Sequence, residues 1–339
     1  MDHPLISITV CMRDAEEWID DCIESLVLQT YRPLEIIAVD DGSADSGLSI
    51  LERWSGEHNG IPVRVFSQNP MGLSAGRNLA VEKSKGEWVA ITDIDCRPDP
   101  YWISEMFSVS DGLGDEEVWA VTGRTIFEKG ETKISKLRSD SIARKYSGRP
   151  RLASLANGPC SMFKRAALDQ VGGFNPEWYH AEDMEVSLQI IQAGGVIIHT
   201  PDAIVNHIAE SSKSVFLRKR SRDARAHVRI RRKFGKHGVR KPNGVIHLHD
   251  FVSDAERVVW LFPIALLGLS FSMFSLLTFQ SPIRNGVILV SIIWVFLIVK
   301  RGNEFLWSIA LWHGAILGLS DIILGRNGHR KLVKREDQS

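Results

Sequence analysis

Cysteine is scarce in this chain of 339 residues, and the four that occur include no C-x-x-C pair. This scatter indicates neither a disulfide framework nor a zinc site, and it favours a reducing compartment. The first residues lack a basic segment followed by an apolar stretch, so we expect no secretory signal. No G-x-G-x-x-G follows the first predicted strand, which disfavours a dinucleotide-dependent oxidoreductase.

The chain also has no net charge, because 41 Lys and Arg balance 41 Asp and Glu, yet the two signs are separated along it. Residues 1–212 carry 19 basic and 33 acidic residues, whereas residues 213–241 carry 13 basic residues and one acidic residue. Basic clusters beside an apolar segment are attracted to anionic headgroups, at about 1 kcal/mol per residue near the surface. A solvated helix face and nucleic-acid binding are the alternatives. We expect anionic membrane lipids as the partner and no nucleic acid.

Short apolar runs alternate with amphipathic stretches in the first part of the chain. The pattern predicts strands at 5–10, 34–39, 63–66 and 88–92 and helices at 15–28, 47–54 and 75–84, the first of them with Asp14 as its N-cap. Further strands are predicted at 118–122, 161–163 and 196–199, with helices at 165–171 and 183–193. Strands that alternate with helices at this spacing indicate a parallel sheet covered by helices. Ligands bind such sheets at the carboxyl ends of the strands.

Three apolar segments follow a boundary near residue 245. Residues 258–279 carry no charge over 22 positions, and about 20 apolar residues are enough to cross a bilayer. Residues 286–299 need the preceding 281–285 to reach that length, and residues 305–324 contain two polar titratable side chains. Because basic flanks are retained in the cytoplasm, two spans would keep both the basic run and the basic tail there. We predict two spans with 305–324 at the interface or re-entering, and three spans are the alternative.

Carboxylates follow two of the predicted strands and open one predicted helix. The sequence DDGS at 40–43 ends one strand, and DID at 93–95 ends another. A carboxylate at a strand end can accept hydrogen bonds from a base or ribose, and two acids one residue apart suit a hard divalent cation that bridges diphosphate oxygens. The pair Glu182-Asp183 begins a helix, where it is either a stabilising first-turn pair or a catalytic base. An ordinary turn is the alternative for each strand-end motif.

Together these motifs resemble the family 2 glycosyltransferases of the GT-A fold over roughly residues 5–235. The matching stretches are EIIAVDDGS at 35–43, GLSAGRNLAVEKSKGEWVAITDID at 72–95, NGPCSMFKRAALDQVGGFNP at 157–176 and EDMEVSLQIIQAGG at 182–195. The resemblance implies an α/β fold with a Rossmann-like, mixed, mostly parallel sheet flanked by helices, followed here by a C-terminal transmembrane helical region. It implies a nucleotide-diphosphate sugar as donor, with UDP-sugars favoured and GDP- or dTDP-sugars as alternatives.

The resemblance also implies roles for residues on the donor side. Asp41 would bind the nucleobase or ribose, with Asp40 supporting it. Asp93 would contact the ribose or diphosphate of the donor. Arg77 is a further donor-site candidate.

The remaining roles concern the metal and the reaction. The resemblance implies Asp95 as the principal ligand of Mg²⁺ or Mn²⁺, with His207 approaching the metal or the diphosphate. Asp183 would be the general base of an inverting displacement, supported by Glu182. The first strand leads into CMRD at 11–14, where the family commonly has a proline-containing loop and an asparagine, so this loop departs from the pattern.

These expectations amount to a hexosyltransferase that acts at the cytoplasmic membrane face on a lipid-linked saccharide or a cell-surface glycan. The Q-x-x-R-W pattern of processive members is missing, and two or three helices cannot build a polymer channel, so transfer of single sugars is expected. A nucleotidyltransferase and a non-catalytic, membrane-anchored sugar or nucleotide binder are the rival functions. The predicted divisions are a nucleotide-sugar half at 1–115, an acceptor half at 116–212, a basic juxtamembrane segment at 213–256, transmembrane or interfacial helices at 257–325 and a basic cytoplasmic tail at 326–339.

Overall fold

The computed structural model describes residues 3–111, 117–177, 180–250, 255–278 and 281–326. Strands and helices alternate in its first part as the apolar pattern predicts. In chain order these elements are β1 (Ile6–Met12), α1 (Ile19–Val27), β2 (Leu34–Asp40), α2 (Gly47–Arg53), β3 (Gly56–His58), β4 (Ile61–Ser67), α3 (Leu73–Lys83), β5 (Trp88–Asp93), β6 (Cys96–Pro98) and α4 (Trp102–Phe107).

The second part of the chain completes the sheet and then becomes helical. Its elements are β7 (Val118–Phe127), α5 (Lys133–Tyr146), β8 (Ser161–Lys164), α6 (Arg165–Val171), α7 (Glu182–Gln192), β9 (Val196–His207), α8 (Lys213–Phe234), β10 (Gly238–Arg240), β11 (Ile246–Leu248), α9 (Ala255–Val258), α10 (Leu261–Thr278), α11 (Ser281–Lys300) and α12 (Gly302–Ile323). The predicted division at residue 116 falls on residues 112–116, and most of the predicted tail falls after 326, so both lie outside the described residues.

The sheet has nine strands in the order β3-β4-β2-β1-β5-β8-β7-β9-β6. Strands β4, β2, β1 and β5 are parallel, and β7 is parallel to β9. Strand β8 runs antiparallel to both of its neighbours. Strands β1 and β2 are buried along their whole length, which explains why apolar residues dominate them, because helices cover both faces of such sheets. The predicted mixed, mostly parallel α/β fold is confirmed.

The register of the sheet brings the acidic strand ends together. Met12 at the end of β1 pairs with Asp40 of β2, and Cys11 pairs with Asp93 of β5. The two acidic loops therefore leave the same edge on either side of β1. Strand β8 is antiparallel, so the loop that precedes it reaches this edge as well.

The beginning of α1 differs from the prediction. Asp14 was expected to cap a helix starting at residue 15, and this was wrong, because α1 begins at Ile19 after Trp18 at the N-cap position. Asp14 instead has a φ of 49°, and its carboxylate accepts a hydrogen bond from the Ala44 amide at 2.7 Å. This contact ties the loop after β1 to the loop after β2.

Two of the described C-terminal helices are long and apolar enough to cross a membrane, namely α10 and α12. The apolar segment of α11, Arg284–Ile298, is shorter. Length and composition therefore favour the last segment over the middle one, which reverses the order expected from the sequence. Helix α10 begins after a turn at residues 259–260, and the side chains of Ser308 and Trp312 on α12 donate to the Val259 carbonyl there.

Helix α12 packs directly along the basic helix α8. A Cβ atom added to Gly314 would lie 1.9 Å from the Ser221 carbonyl oxygen, and one added to Gly318 would lie 2.9 Å from that of Arg225. Farther along, Arg225 donates two hydrogen bonds to Asp321, at 2.6 and 2.8 Å. The glycines allow this close backbone approach because they have no side chain.

Candidate active site

A cavity of about 770 Å³ lies at the edge of the sheet where the acidic loops meet. Its walls come from the loops after β1, β2 and β5, the loop before β8, the beginning of α7, and the helices α5, α8 and α12. Of the predicted site residues, those lining the cavity are Asp41, Arg77, Asp93, Asp95, Glu182, Asp183 and His207. Four separate motifs thus meet at one cavity.

Asp40 shapes the turn that follows β2. Its carboxylate accepts hydrogen bonds from the amides of Gly42, at 3.1 Å, and Ser43, and from the Ser43 hydroxyl. Gly42 has a φ of 75°, and a Cβ atom there would lie 2.5 Å from the Pro70 ring, so only glycine fits this turn. Asp40 therefore supports the loop from behind and is itself buried.

Asp41 borders the cavity and holds the beginning of α3. Its carboxylate accepts hydrogen bonds from the amides of Met71 and Gly72, at 2.9 and 2.7 Å, and from the Gln68 amide group at 2.6 Å. Asp41 thus joins the end of β2 to the loop before α3.

Arg77 of α3 connects the two halves of the site. Its guanidinium donates to Glu182 at 2.6 Å and to Asp93 at 2.9 Å, and it lies over the Phe174 ring. Burial alone would favour a neutral side chain, but the carboxylates of Glu182 and Asp93 raise the pKa of Arg77 above its ordinary value. Arg77 is only 2% exposed, so it fixes the end of β5 against the beginning of α7.

The carboxylate of Asp183 is held by two backbone amides. One oxygen accepts from Gly158 at 2.9 Å and the other from Met184 at 2.8 Å. Gly158 leaves room for this arrangement, because a Cβ atom there would lie 3.4 Å from the Asp183 oxygen and 3.1 Å from the Arg77 guanidinium. A carboxylate fixed at the wall of a cavity is suited to accept a proton from a bound hydroxyl.

Asp95, Cys96 and His207 form the cluster with metal-ligand potential, with ligand atoms within 4.8 Å of one another. The Asp95 carboxylate lies 3.3 Å from His207 Nε2, while His207 Nδ1 contacts the Ile208 carbonyl. Burial raises the pKa of Asp95, and a bound cation would offset that cost. Burial also raises the pKa of Cys96 well above its ordinary value, which leaves a protonated thiol. The oxygen and imidazole ligands fit Mg²⁺ or Mn²⁺.

The part of the cavity wall formed by α5 and α8 is cationic, and the sequence did not predict it. Helix α5 contributes Arg138 and Lys145, and α8 contributes Lys219, Arg220 and Arg222. The last three belong to the basic run that was assigned to the membrane as a whole. Lys219 and Arg222 are three residues apart, which places them on one helix face, and this spacing was the available signal.

An apolar part of the wall comes from the C-terminal helices. Trp307 and Leu311 of α12 line the cavity together with Ala255 of α9. The Trp307 ring packs edge-on against Phe216 of α8, with ring centroids 5.4 Å apart. The helices expected to serve only as anchors therefore also border the site.

Comparison of the sequence with known families gives matches to two glycosyltransferase family models. The model of glycosyl transferase family 2 matches residues 7–172, and that of glycosyl transferase family group 2 matches residues 114–320. EpsH of Bacillus subtilis, provisionally named a glycosyltransferase, is 32% identical over 152 residues, which are 44% of this chain and 42% of that protein. The cholesterol galactosyltransferase of Borreliella burgdorferi is 38% identical over 90 residues, which are 26% of this chain and 25% of that protein. The chain thus spans less than half of either relative.

Solved structures show the same fold. The mannosyltransferase PcManGT from Pyrobaculum calidifontis, in complex with GDP-Man and Mn²⁺, has a TM-score of 0.69 and 20% identity, covering 94% of this chain and 88% of that one. GalNAc-T7 with UDP, GalNAc and Mn²⁺ has a TM-score of 0.52 and 19% identity, covering 68% of this chain and 48% of that one. With the family model that covers residues 114–320, these findings show that the chain belongs to the family 2 glycosyltransferases and has the GT-A fold.

Proposed function

We propose that the protein is a metal-dependent, inverting glycosyltransferase that transfers one sugar from a nucleotide-diphosphate sugar to a glycan or lipid-linked acceptor. The observation that carries this proposal is the shared cavity, which is lined both by the fixed carboxylate of Asp183 and by the Asp95–His207 pair. A general base and a diphosphate site must border the same space for sugar transfer.

The donor is assigned to the side of the cavity formed by the loops after β2 and β5. Asp41 borders the cavity there and offers carboxylate oxygens to a base or ribose, while Asp40 keeps the loop in shape. Asp93, held by Arg77, faces the same space. PcManGT was solved with GDP-Man and GalNAc-T7 with UDP, which supports a nucleotide-sugar donor. We favour UDP-sugars, with GDP- and dTDP-sugars as alternatives.

Asp95 and His207 would hold Mg²⁺ or Mn²⁺. When bound, such a cation stabilises negative charge on a departing diphosphate. The His207 ring stacks on Phe127, with ring centroids 4.0 Å apart, and its Nδ1 atom contacts the Ile208 carbonyl. Together these two contacts fix the direction of Nε2. The protein therefore supplies an oriented nitrogen and a buried carboxylate for the cation.

Asp183 is assigned the proton transfer. The acceptor hydroxyl gives its proton to the Asp183 carboxylate, and the acceptor oxygen forms a bond to the anomeric carbon. The bond between that carbon and the diphosphate oxygen breaks, and its electron pair leaves with the nucleoside diphosphate. Because the attack comes from the face opposite the leaving group, the anomeric configuration inverts. Glu182 positions this region through Arg77.

We also propose that the protein is a multi-pass membrane protein with its catalytic part on the cytoplasmic side. Helix α8 carries ten basic residues and lies along α12, and charged helices are excluded from the hydrocarbon core. Although length and composition favour α12 over α11, its contact with α8 leads us to propose α10 and α11 as the two spans, with α12 at the interface, where the basic run meets anionic lipids.

The proposed function is tested with purified full-length protein and a panel of UDP-, GDP- and dTDP-sugars, with and without EDTA. We expect one class of donor to be turned over, with loss of turnover in EDTA and recovery on adding Mn²⁺ or Mg²⁺. The anomeric configuration of the product, measured by NMR, should be opposite to that of the donor. Donor binding without any turnover would instead identify a non-catalytic binder, and a retained configuration would exclude the inverting mechanism.

A further inference from the structure

The cavity is divided by charge into two sides. The side assigned to the donor carries the carboxylates of the strand-end loops, whereas the wall formed by α5, α8 and the segment before α8 carries five cations and two carboxylates. The cations are Arg138, Lys145, Lys219, Arg220 and Arg222, and the carboxylates are Glu210 and Asp223. Burial lowers the pKa of the neighbouring His227 to about 4, so this imidazole is neutral at pH 7. The wall therefore has an excess of positive charge.

The two carboxylates of this wall are already engaged. Asp223 pairs with Arg220 at 2.8 Å and with His180 at 2.6 Å. Glu210 pairs with Lys219 at 3.2 Å and lies 3.5 Å from Arg138. The acidic groups therefore do not neutralise the whole cluster.

Two of the cations form no ion pair with the described residues. Within the described ranges, Lys145 and Arg222 have no carboxylate within 4.0 Å and no hydrogen-bond acceptor, although each lines the cavity. The buried Nε–H group of Arg222 finds no acceptor among the described residues, and that of Arg138 lies 3.5 Å from the Glu210 carboxylate without forming a hydrogen bond. Buried donors of this kind are normally satisfied, so their presence at a cavity points to a ligand.

Around Lys145 and Arg138, burial and neighbouring cations outweigh the effect of the neighbouring acidic groups. Burial and the nearby Arg149 guanidinium lower the pKa of Lys145 to about 8. Burial and the Arg220 guanidinium lower the pKa of Arg138 to about 9. A ligand with negative charge would stabilise the protonated forms of both side chains.

Lys219 and Lys145 act on different groups of the site. Lys219 lies close enough to Asp95 to lower its pKa, so this lysine belongs to the metal side. Lys145 instead interacts with Asp183, the proposed base. An anion at Lys145 would therefore accompany the acceptor, whose hydroxyl must reach Asp183.

The same side of the cavity ends in an apolar surface. Trp307 and Leu311 of α12, with Ala255, border the space that the cations enclose. An acceptor with an anionic group and a hydrocarbon part would contact both surfaces at once, because apolar area gains free energy when it leaves water.

We propose that the acceptor carries a phosphate group, which binds Arg138, Lys145 and Arg222 while its apolar part lies against α12. This inference rests on the proposed function, because it takes Asp183 as the base. Phosphate suits the site, since guanidinium groups bind its oxygens with charge-assisted hydrogen bonds. A lipid phosphate and a phosphate within a soluble glycan share this chemistry, and the experiment distinguishes them.

The experiment measures binding of geranyl phosphate, geraniol and inorganic phosphate to the full chain in detergent by titration calorimetry. The donor site is first filled with Mn²⁺ and the nucleoside diphosphate that the donor panel selects, so that the probes cannot occupy it. The variants are Lys145→Ala and Arg222→Ala. Their matched controls are Lys136→Ala on α5 and Arg218→Ala on α8, which remove exposed cations outside the cavity.

We expect geranyl phosphate to bind the wild-type protein and to lose roughly tenfold or more in affinity in each cavity variant, as for loss of a charged hydrogen bond. The two controls should bind like the wild type, and Lys145→Arg should retain most of the affinity, which separates loss of charge from misfolding. Geraniol should bind far more weakly than geranyl phosphate. Tighter binding of geranyl phosphate than of inorganic phosphate assigns a lipid acceptor, whereas equal binding would overturn the apolar contact with α12 and leave a soluble phosphorylated glycan as the acceptor.

Equal binding of geraniol and geranyl phosphate, or unchanged affinity in both cavity variants, would overturn the phosphate site. Donor hydrolysis is measured on the same preparations. Absence of hydrolysis in the wild type together with charge-dependent phosphate binding would refute the proposed function and leave the binding site standing. Hydrolysis with no phosphate preference would refute only the acceptor assignment.

Discussion

Removal of the Arg77 charge is expected to destabilise the protein strongly through Glu182. Arg77→Met keeps the length of the side chain but leaves the Glu182 carboxylate, 7% exposed, without its partner. Breaking a buried pair by removing one member costs about 3–5 kcal/mol. The Asp93 side chain is 32% exposed and is partly solvated without Arg77, so the loss of its pair with Arg77 costs less, about 1 kcal/mol or less. We expect the free energy of unfolding to fall by about 3–5 kcal/mol.

A double-mutant cycle isolates the pair. Glu182→Gln keeps an acceptor for Arg77 and should cost about 1–2 kcal/mol, as for one weakened buried hydrogen bond. The double variant, Glu182→Gln with Arg77→Met, no longer contains the unpaired buried charge. Its loss in the free energy of unfolding should therefore be smaller than the sum of the two single losses by about 2 kcal/mol or more. Urea denaturation of the full chain in detergent, followed by tryptophan fluorescence, measures each value. Additive costs, or a loss below about 1 kcal/mol for Arg77→Met, would show that the ion pair does not hold the two halves together.

The remaining predictions concern the base, the metal, the helix contact and the thiols. Asp183→Asn should lower kcat by roughly 10²- to 10⁴-fold with donor affinity unchanged, and unchanged kcat would remove the residue from the mechanism. Asp95→Asn should weaken Mn²⁺ binding, measured calorimetrically; an unaltered Kd would place the cation elsewhere. Gly314→Ala should separate α12 from α8 and lower the Tm, whereas Gly302→Ala, which meets nothing within 4 Å, should not; equal Tm values would contradict the packing. Burial raises the pKa of the four cysteines, so at pH 8 the native protein should react slowly with iodoacetamide and the unfolded protein fast. Rapid labelling of the native protein would show that the thiols are accessible.

The sheet and the meeting of its acidic loops could be predicted because each depends on local signals. Strands β1 and β2 are buried on both faces, so apolar residues dominate their sequences. Helix α5 escaped prediction because small polar residues occupy much of its buried face. Ser135, Ser139 and Ser141 are buried there, so the apolar spacing of a helix is missing. With α5 unpredicted, Arg138 and Lys145 had no place in a predicted site.

The basic run shows a different limit of the sequence. Its composition indicates attraction to anionic lipids, but composition does not say which way each charge faces. In the structure Arg222 faces the cavity, whereas Arg225 binds Asp321 on α12. In a helix, neighbouring side chains point in different directions. The partner of a basic side chain can also lie far away in the sequence, as Asp321 does, about 100 residues from Arg225. Such long-range partners are not encoded in local periodicity.

If Asp41 binds the nucleobase as proposed, helix α3 connects nucleotide recognition to the rate of reaction. Its beginning is held by the hydrogen bonds that Met71 and Gly72 donate to Asp41, and its Arg77 sets the distance between Asp93 and α7. A nucleobase that hydrogen-bonds to Asp41 competes for the same oxygens and changes how firmly the helix is held. Donors that share a sugar and differ only in their base are then expected to differ in kcat as well as in KM.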